Sequence, residues 1–259
     1  MGSAENAMAI IRRVALSGKV GNPESAKDLI CGLGGHVTMG SGSAKGRATG
    51  EKTQVRIISA LVVAVLTLGL SSATRAETAL VAGGCFWCVE ADFEKVKGVT
   101  EVVSGYTGGK LENPTYDNHA GHVEAVEIRF DPAVISYAQV IHLFLRSIDV
   151  TDAGGQFCDR GDSYKSAIFV SSKAQKAAAE AALAEAEATL GRKVVTPVRQ
   201  AGTFWEAEAY HQDYWKSGEI VLTRAGPKQK KNAYKFYRSA CGRDARVKEL
   251  WGSEAAFVK

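Results

Sequence analysis

The residues with the most evident chemistry are Gly83-Gly84-Cys85-Phe86-Trp87-Cys88. Cys85 lies where a short apolar run, Ala79 to Ala82, gives way to helical spacing. The glycine pair lets the backbone approach closely and take unusual dihedrals. A helix N-terminus offers free N–H groups and partial positive charge, which lower a thiol pKa, and the thiolate is the nucleophile. The bland alternative is a small buried hydrophobe. Cys88 completes a C-x-x-C pair, open to three readings: a redox couple, half a metal site, or a core cysteine. A four-cysteine zinc site needs a second close pair. Cys158 and Cys241 are 83 positions apart, so no metal is expected.

The elements that position these groups can be read coarsely. Ala79 to Cys85 reads as a strand, Phe86 to Val96 as a helix and Val99 to Val103 as a second strand. Gly105 to Gly109 reads as a turn-rich loop, and Lys110 to Gly121 as irregular. His122 to Phe130 alternates, with Glu124, Val126, Ile128 and Phe130 on one face. A carboxyl on an apolar face loses hydration, and its pKa rises. Ser136 can cap a helix through Arg146. Ser147 to Ser163 is a polar loop, Ala167 to Val170 a strand, and Ser172 to Leu190 a helix stopped at Gly191. Val194 to Val198 reads as a strand, Glu206 to Trp215 as a short helix and Lys216 to Lys259 as an extended tail.

The alternation of strands and helices is that of one α/β domain over residues 77–259, and G-x-G-x-x-G is absent after the first strand, so a dinucleotide cofactor is not expected. The net charge of +4 belongs to the front of the chain. Residues 77–259 carry 23 basic and 24 acidic side chains, which gives no argument for nucleic acid as a partner.

The motifs have a family likeness. Gly84-Cys85-Phe86-Trp87 resembles the active-site signature of the A-type peptide methionine sulfoxide reductases (the MsrA family). The likeness continues through Ser104-Gly105-Tyr106-Thr107-Gly108-Gly109 and Gly121-His122-Val123-Glu124-Ala125-Val126 to Asp131-Pro132. It resumes at Asp159-Arg160-Gly161-Asp162-Ser163-Tyr164-Lys165-Ser166-Ala167-Ile168 and at Ala207-Glu208-Ala209-Tyr210-His211-Gln212-Asp213-Tyr214. The resemblance implies an α+β fold: a two-layer sandwich with a mixed sheet, a ferredoxin-like core and an extended C-terminal segment. It also implies reduction of the S epimer of methionine sulfoxide, free or in proteins.

By this resemblance Cys85 attacks the sulfoxide sulfur and Glu124 is the acid that protonates its oxygen. Tyr106 and Tyr164 are hydroxyl donors, Asp159 is an acidic partner in the same network, and Phe86 and Trp87 are walls for the S-methyl group. His211 is expected to be structural. A resolving thiol must follow the sulfenic acid. Cys241, beside Gly242, is the first choice because family members often use tail cysteines, and Cys88 is the second. Cys158, where relatives carry a polar residue, is either a third participant or buried. Lys165 stands where Arg is usual, which weakens a bidentate ion pair. No cofactor is implied beyond a thioredoxin-type dithiol co-substrate, and a monomer is expected.

Residues 57–70, IISALVVAVLTLGL, are uncharged, follow Lys52 and Arg56, and precede Ser71, Ser72 and Ala73. That pattern is a secretory signal peptide over about 51–76, too short for a comfortable membrane span. A periplasmic or secreted protein is expected, with an uncleaved membrane anchor as the alternative. Residues 1–50, with Cys31, read as an extension that is disordered or precedes the true start, at Met39 or Val55. Two competing functions are a general C-x-x-C thiol-disulfide oxidoreductase and a membrane-tethered thiol or metal-binding module.

Overall fold

The computed structural model describes residues 76–258. The expected extension, signal peptide and Cys31 lie outside them. No helix among the described residues is long and apolar enough to cross a membrane.

In chain order the elements are β1 (Glu77–Ala82), α1 (Phe86–Phe93), β2 (Val99–Thr107), β3 (Val123–Phe130), α2 (Tyr137–Leu145), β4 (Gly155–Gln156), β5 (Asp159–Arg160), β6 (Ala167–Val170), α3 (Lys173–Leu190), β7 (Val198–Gln200), β8 (Trp205–Glu206), β9 (Ile220–Thr223), β10 (Gly226–Gln229), α4 (Lys230–Ala240) and α5 (Arg243–Trp251). The main sheet runs β7-β6-β1-β3-β2-β8. Its four inner strands, β6-β1-β3-β2, are antiparallel to their neighbours, and β7 adds parallel to β6. The β1-α1-β2-β3-α2-β6 succession with this order is the ferredoxin-like arrangement. The parallel β7 makes the sheet mixed.

Period-2 alternation divides the sheet into two faces. Ala79, Val81, Val126, Ile128, Phe130, Ile168 and Val170 join Val89, Phe93, Val140, Ile141 and Phe144 of α1 and α2 in the main core. Leu80, Ala82, Val123, Ala125 and Phe169 face the other way, where Ala201 and Phe204 pack on them. The start of α2 is fixed by a capping box. The Gln139 N–H donates to Ser136 Oγ at 3.3 Å, and the Ser136 N–H donates to Gln139 Oε1 at 2.9 Å. α3 ends on Gly191 in the left-handed conformation, φ +61°.

Four expectations are corrected. The 105–109 stretch is not all loop: β2 continues through Thr107, because Gly105 lets β8 approach, and a Cβ there would fall 2.3 Å from the Trp205 carbonyl oxygen. The strand near 194–198 instead begins at Val198. The expected helix over 206–215 is absent: Glu206 ends β8 and residues 209–216 form successive turns, with the Asp213 N–H captured by the Glu90 carboxylate at 2.6 Å. The stretch from Lys216 is not a tail. It folds into the β9–β10 hairpin and two helices that bury Ala233, Tyr234, Val247 and Trp251. A few large side chains at helical spacing do there what a long apolar run does elsewhere.

Candidate active site

The turn from β1 into α1 sets the position of Cys85. Gly84 has φ +80°, and a Cβ on it would lie 2.5 Å from Gln156 Cβ, so only glycine fits. Gln156 is itself pinned: its amide donates to the Asp149 carbonyl at 2.8 Å and accepts the Asp149 N–H at 2.9 Å. Cys85 is the N-cap of α1, and its carbonyl accepts the Cys88 N–H at 3.0 Å.

The thiol does not rest as a thiolate. Hydrogen bonding to Cys88, burial, and the nearby Asp159 and Glu124 carboxyls push Cys85 well above the ordinary thiol range. A helix terminus contributes ~0.3–1 kcal/mol, less than one pKa unit, since a unit is ~1.36 kcal/mol. The bond to Cys88, burial and like charge together therefore win over the dipole expected from the sequence. Cys88 moves the opposite way, lowered by its bond to Cys85 and by Arg243 and Arg238.

Glu124 is buried at 1% exposure, and its Oε2 accepts the Phe86 N–H at 3.0 Å. Its Oε1 has no hydrogen-bond partner among the described residues. Burial holds this carboxyl well above the usual range, with Asp159 and Cys88 adding to the shift, which favours its protonated form. Asp159, mostly buried, is pushed up to about 6 by burial, with Arg243 opposing. Tyr164 closes the short 3₁₀ turn from Asp162. Lys165 pairs with Asp162 at 2.7 Å on the surface and supplies no buried fork.

Tyr106 is placed differently from expectation. It pairs with Glu124 across β2 and β3, but its hydroxyl donates to Glu208 Oε2 at 3.3 Å. Tyr116, not among the residues expected from the sequence, carries a buried hydroxyl with no partner among the described residues. Burial raises its pKa, and Glu124, Tyr164 and Cys85 are near enough to add to the shift. Glu208 holds its loop in place, accepting the Tyr116 N–H at 3.0 Å. His119 ties the same loop to Ser163 at 2.9 Å. The available signal is an aromatic set in the polar loop Asn113-Pro114-Thr115-Tyr116-Asp117.

Phe86 and Trp87 are buried in an aromatic cluster. Trp87 stacks on Tyr214 with centroids 3.9 Å apart, and His211 lies 5.1 Å from Phe86 and 4.5 Å from Tyr116. Burial, with Lys230 and His119, lowers His211 to about 3 and keeps it neutral. It packs as one more ring.

Cys158 and Cys241 form a disulfide, while Cys85 and Cys88 are free thiols. Of the two resolving thiols expected from the sequence, Cys241 is therefore bonded to Cys158 in this structure and Cys88 is free beside Cys85. All four line one cavity of about 410 Å³, together with Asp159 and Arg243. Two clusters have metal-ligand spacing among the described residues. One is Cys158, Asp159 and Cys241, whose sulfurs are joined. The other is Glu90, Glu94 and Asp213, in which Glu90 accepts from Ser104 and from the Asp213 N–H, and Lys216 bridges Glu94 and Asp213.

A thiol beside a second thiol, on a ferredoxin-like sheet that also buries a carboxyl, is the arrangement of one class of protein, the thiol-dependent oxidoreductases. A model of the peptide methionine sulfoxide reductase family matches residues 77–254, and the chain belongs to that family. It is 44% identical over 203 residues to "Peptide methionine sulfoxide reductase MsrA 2" of Rhizobium meliloti, covering 78% of this chain and 96% of the relative. It is 43% identical over 187 residues to the Bacillus subtilis MsrA, covering 70% and 98%. The reduced crystal structure of Mxr1 from Saccharomyces cerevisiae shares the fold, with a TM-score of 0.53 and 23% identity over 61% of this chain and 94% of that one. The chain is thus a methionine sulfoxide reductase of the A type, acting on the S-sulfoxide through thiol chemistry.

Proposed function

We propose that Cys85 is the nucleophile and Glu124 the acid in the reduction of methionine S-sulfoxide, free or in proteins. The observation that carries this reading is the placement of Glu124: a buried carboxyl with one oxygen unpartnered among the described residues, hydrogen-bonded to the residue after Cys85. Cys85 Sγ attacks the sulfoxide sulfur while the Glu124 proton passes to the oxygen. The S–O bond breaks, oxygen is left on Cys85 as sulfenic acid, and the thioether departs. The thiol proton lost by Cys85 restores Glu124, so thiol plus sulfoxide becomes sulfenic acid plus thioether. Tyr116 and Tyr164 offer hydroxyls to the same oxygen, with Asp159 beside them. Tyr106 supports the group through Glu208. Phe86 and Trp87 wall the S-methyl group, since aromatic rings contact sulfur-bound methyls favourably.

Cys88 then attacks the sulfenic sulfur and releases water, leaving a Cys85–Cys88 disulfide. A thioredoxin-type dithiol restores both thiols. Cys241 takes part through its bond to Cys158, which lies on the wall of the same cavity. No other cofactor enters. Action as a monomer is part of the same proposal. Two features support a periplasmic or secreted location: the 57–70 apolar segment and a disulfide of the kind that persists in oxidising compartments.

The test is methionine sulfoxide reduction with dithiothreitol, comparing wild type with Cys85→Ser. Turnover is lost entirely in the variant, while folding by circular dichroism is retained. Activity surviving in that variant removes Cys85 as the nucleophile.

A further inference from the structure

The cavity that holds Cys85 is charged on one side. Arg224, Lys228, Arg238 and Arg243 line it, against the single carboxylate of Asp159. Its cationic wall is one continuous piece of chain. Residues 220–243 contain seven Lys or Arg and no Asp or Glu, whereas the rest of 77–259 has 16 basic and 24 acidic side chains. The segment is thus a positive face on an otherwise negative body.

Part of that charge is already used. Lys230 pairs with Glu219, Arg238 bridges Asp92 and Asp244, and Arg243 donates to the Gly83 and Ser147 carbonyls. Lys228, Lys231 and Lys235 have no carboxylate partner among the described residues, and none of the three is buried. Apolar surface lies among them: Phe236 lines the cavity at 62% exposure, with Tyr237 beside it, ring centroids 5.8 Å apart. Exposed aromatic surface and Lys228 on the wall of the cavity that holds the nucleophile, with Lys231 and Lys235 on the same chain segment, fit an extended polypeptide that is partly apolar and carries acidic side chains.

We propose that residues 220–243 select the substrate: unfolded polypeptide in which the oxidised methionine is flanked by Asp or Glu. This rests on Cys85 being the nucleophile. The lysines raise the local concentration of an acidic chain and retain it beside Cys85, while the aromatic surface holds its apolar residues. Screening limits the effect, because the Debye length falls from ~10 Å at 0.1 M salt to ~3 Å at 1 M.

The probes are three N-acetylated nonapeptides, each with a central methionine S-sulfoxide flanked by Asp/Glu, by Ser/Gly or by Lys, assayed in dithiothreitol. At low salt kcat/KM falls in that order, by about tenfold from first to last, carried by KM. The spread shrinks in 1 M NaCl. Lys228→Gln with Lys235→Gln narrows the acidic-to-lysine ratio, and Lys228→Glu with Lys235→Glu inverts it. Because the readout is a ratio within one protein, a variant of reduced stability still reports its preference. Equal kcat/KM for the three wild-type peptides overturns the proposal, as does a preference unchanged in both double variants. So does an effect of the variants confined to a protein dithiol reductant, which makes the face a reductant site. Free methionine sulfoxide turnover by wild type is read in parallel: its failure strikes the catalytic assignment, whereas a flat peptide series with intact free turnover strikes only this one.

Discussion

At the scale of single residues, the chemistry turns on a proton held where water cannot compete for it. Burial raises Glu124 well above the usual carboxylate range despite the Phe86 N–H, which favours the charged form. An enzyme that needs this proton loses kcat as pH rises through the raised pKa. Glu124→Gln retains part of the activity, because the amide still donates a hydrogen bond, but the alkaline fall assigned to Glu124 disappears from the kcat–pH profile. Stability gives an independent reading with its own sign. The raised folded-state pKa means Glu124 holds its proton more tightly in the native protein, so its contribution is full below the unfolded value near 4.5 and is lost as pH climbs. The melting temperature of Glu124→Gln relative to wild type should therefore improve from pH 4 to pH 9. A difference constant with pH would show that the native carboxyl is not held protonated.

At the scale of elements, β1, the Gly83-Gly84 turn and α1 act as one device that aims Cys85. Gly84→Ala brings two costs: left-handed backbone, ~1–2 kcal/mol, and overlap with Gln156, ~1–3 kcal/mol. We expect a loss of about 2–5 kcal/mol in urea unfolding, with kcat falling because Cys85 moves relative to Glu124; full activity in this variant would show that the turn geometry is not what aims the thiol. Much of this is legible in the chain. The alternation in 122–130 puts Glu124 on the face it occupies, Ser136 and Gln139 mark the start of α2, and Gly84 next to Cys85 marks the turn. Less legible is anything depending on distant partners. Gly105 looks like loop chemistry until β8 is seen pressing on it, and Tyr116 sits in a segment with no periodicity. Glu208 carries no signal until the two groups it holds, 102 and 92 residues away, are known. The thiol pKa is only partly local: the hydrogen bond to Cys88, its largest cause, lies three residues away, whereas burial and the Asp159 and Glu124 carboxyls are set by the tertiary fold.

At the scale of the whole molecule, the C-terminal segment is joined to the catalytic turn by more than the Cys158–Cys241 bond. Arg243 is almost fully buried, with 2% exposure. Its Nη1 donates to the Gly83 carbonyl at 3.2 Å and its Nη2 to the Ser147 carbonyl at 3.0 Å, and its guanidinium lies 4.8 Å from the Phe157 ring centroid. One planar cation thus links the start of α5, the turn before Cys85 and the end of α2. A lysine keeps the charge but not the fork, and its single ammonium serves the two carbonyls poorly. Losing one hydrogen bond to a charged group costs ~1.5–3 kcal/mol. Arg243→Lys should lower the unfolding free energy by that amount, and the urea midpoint in proportion, without changing the m-value, since the surface exposed on unfolding is the same. It should also speed Cys85 alkylation by iodoacetamide, because the turn that positions the thiol is freer to open. Doing both experiments in Cys158→Ser separates the covalent tie from the ionic one. If Arg243 carries the link, its substitution accelerates alkylation with the disulfide present or absent. An acceleration seen only without the disulfide would assign the link to the Cys158–Cys241 bond and leave Arg243 a packing role.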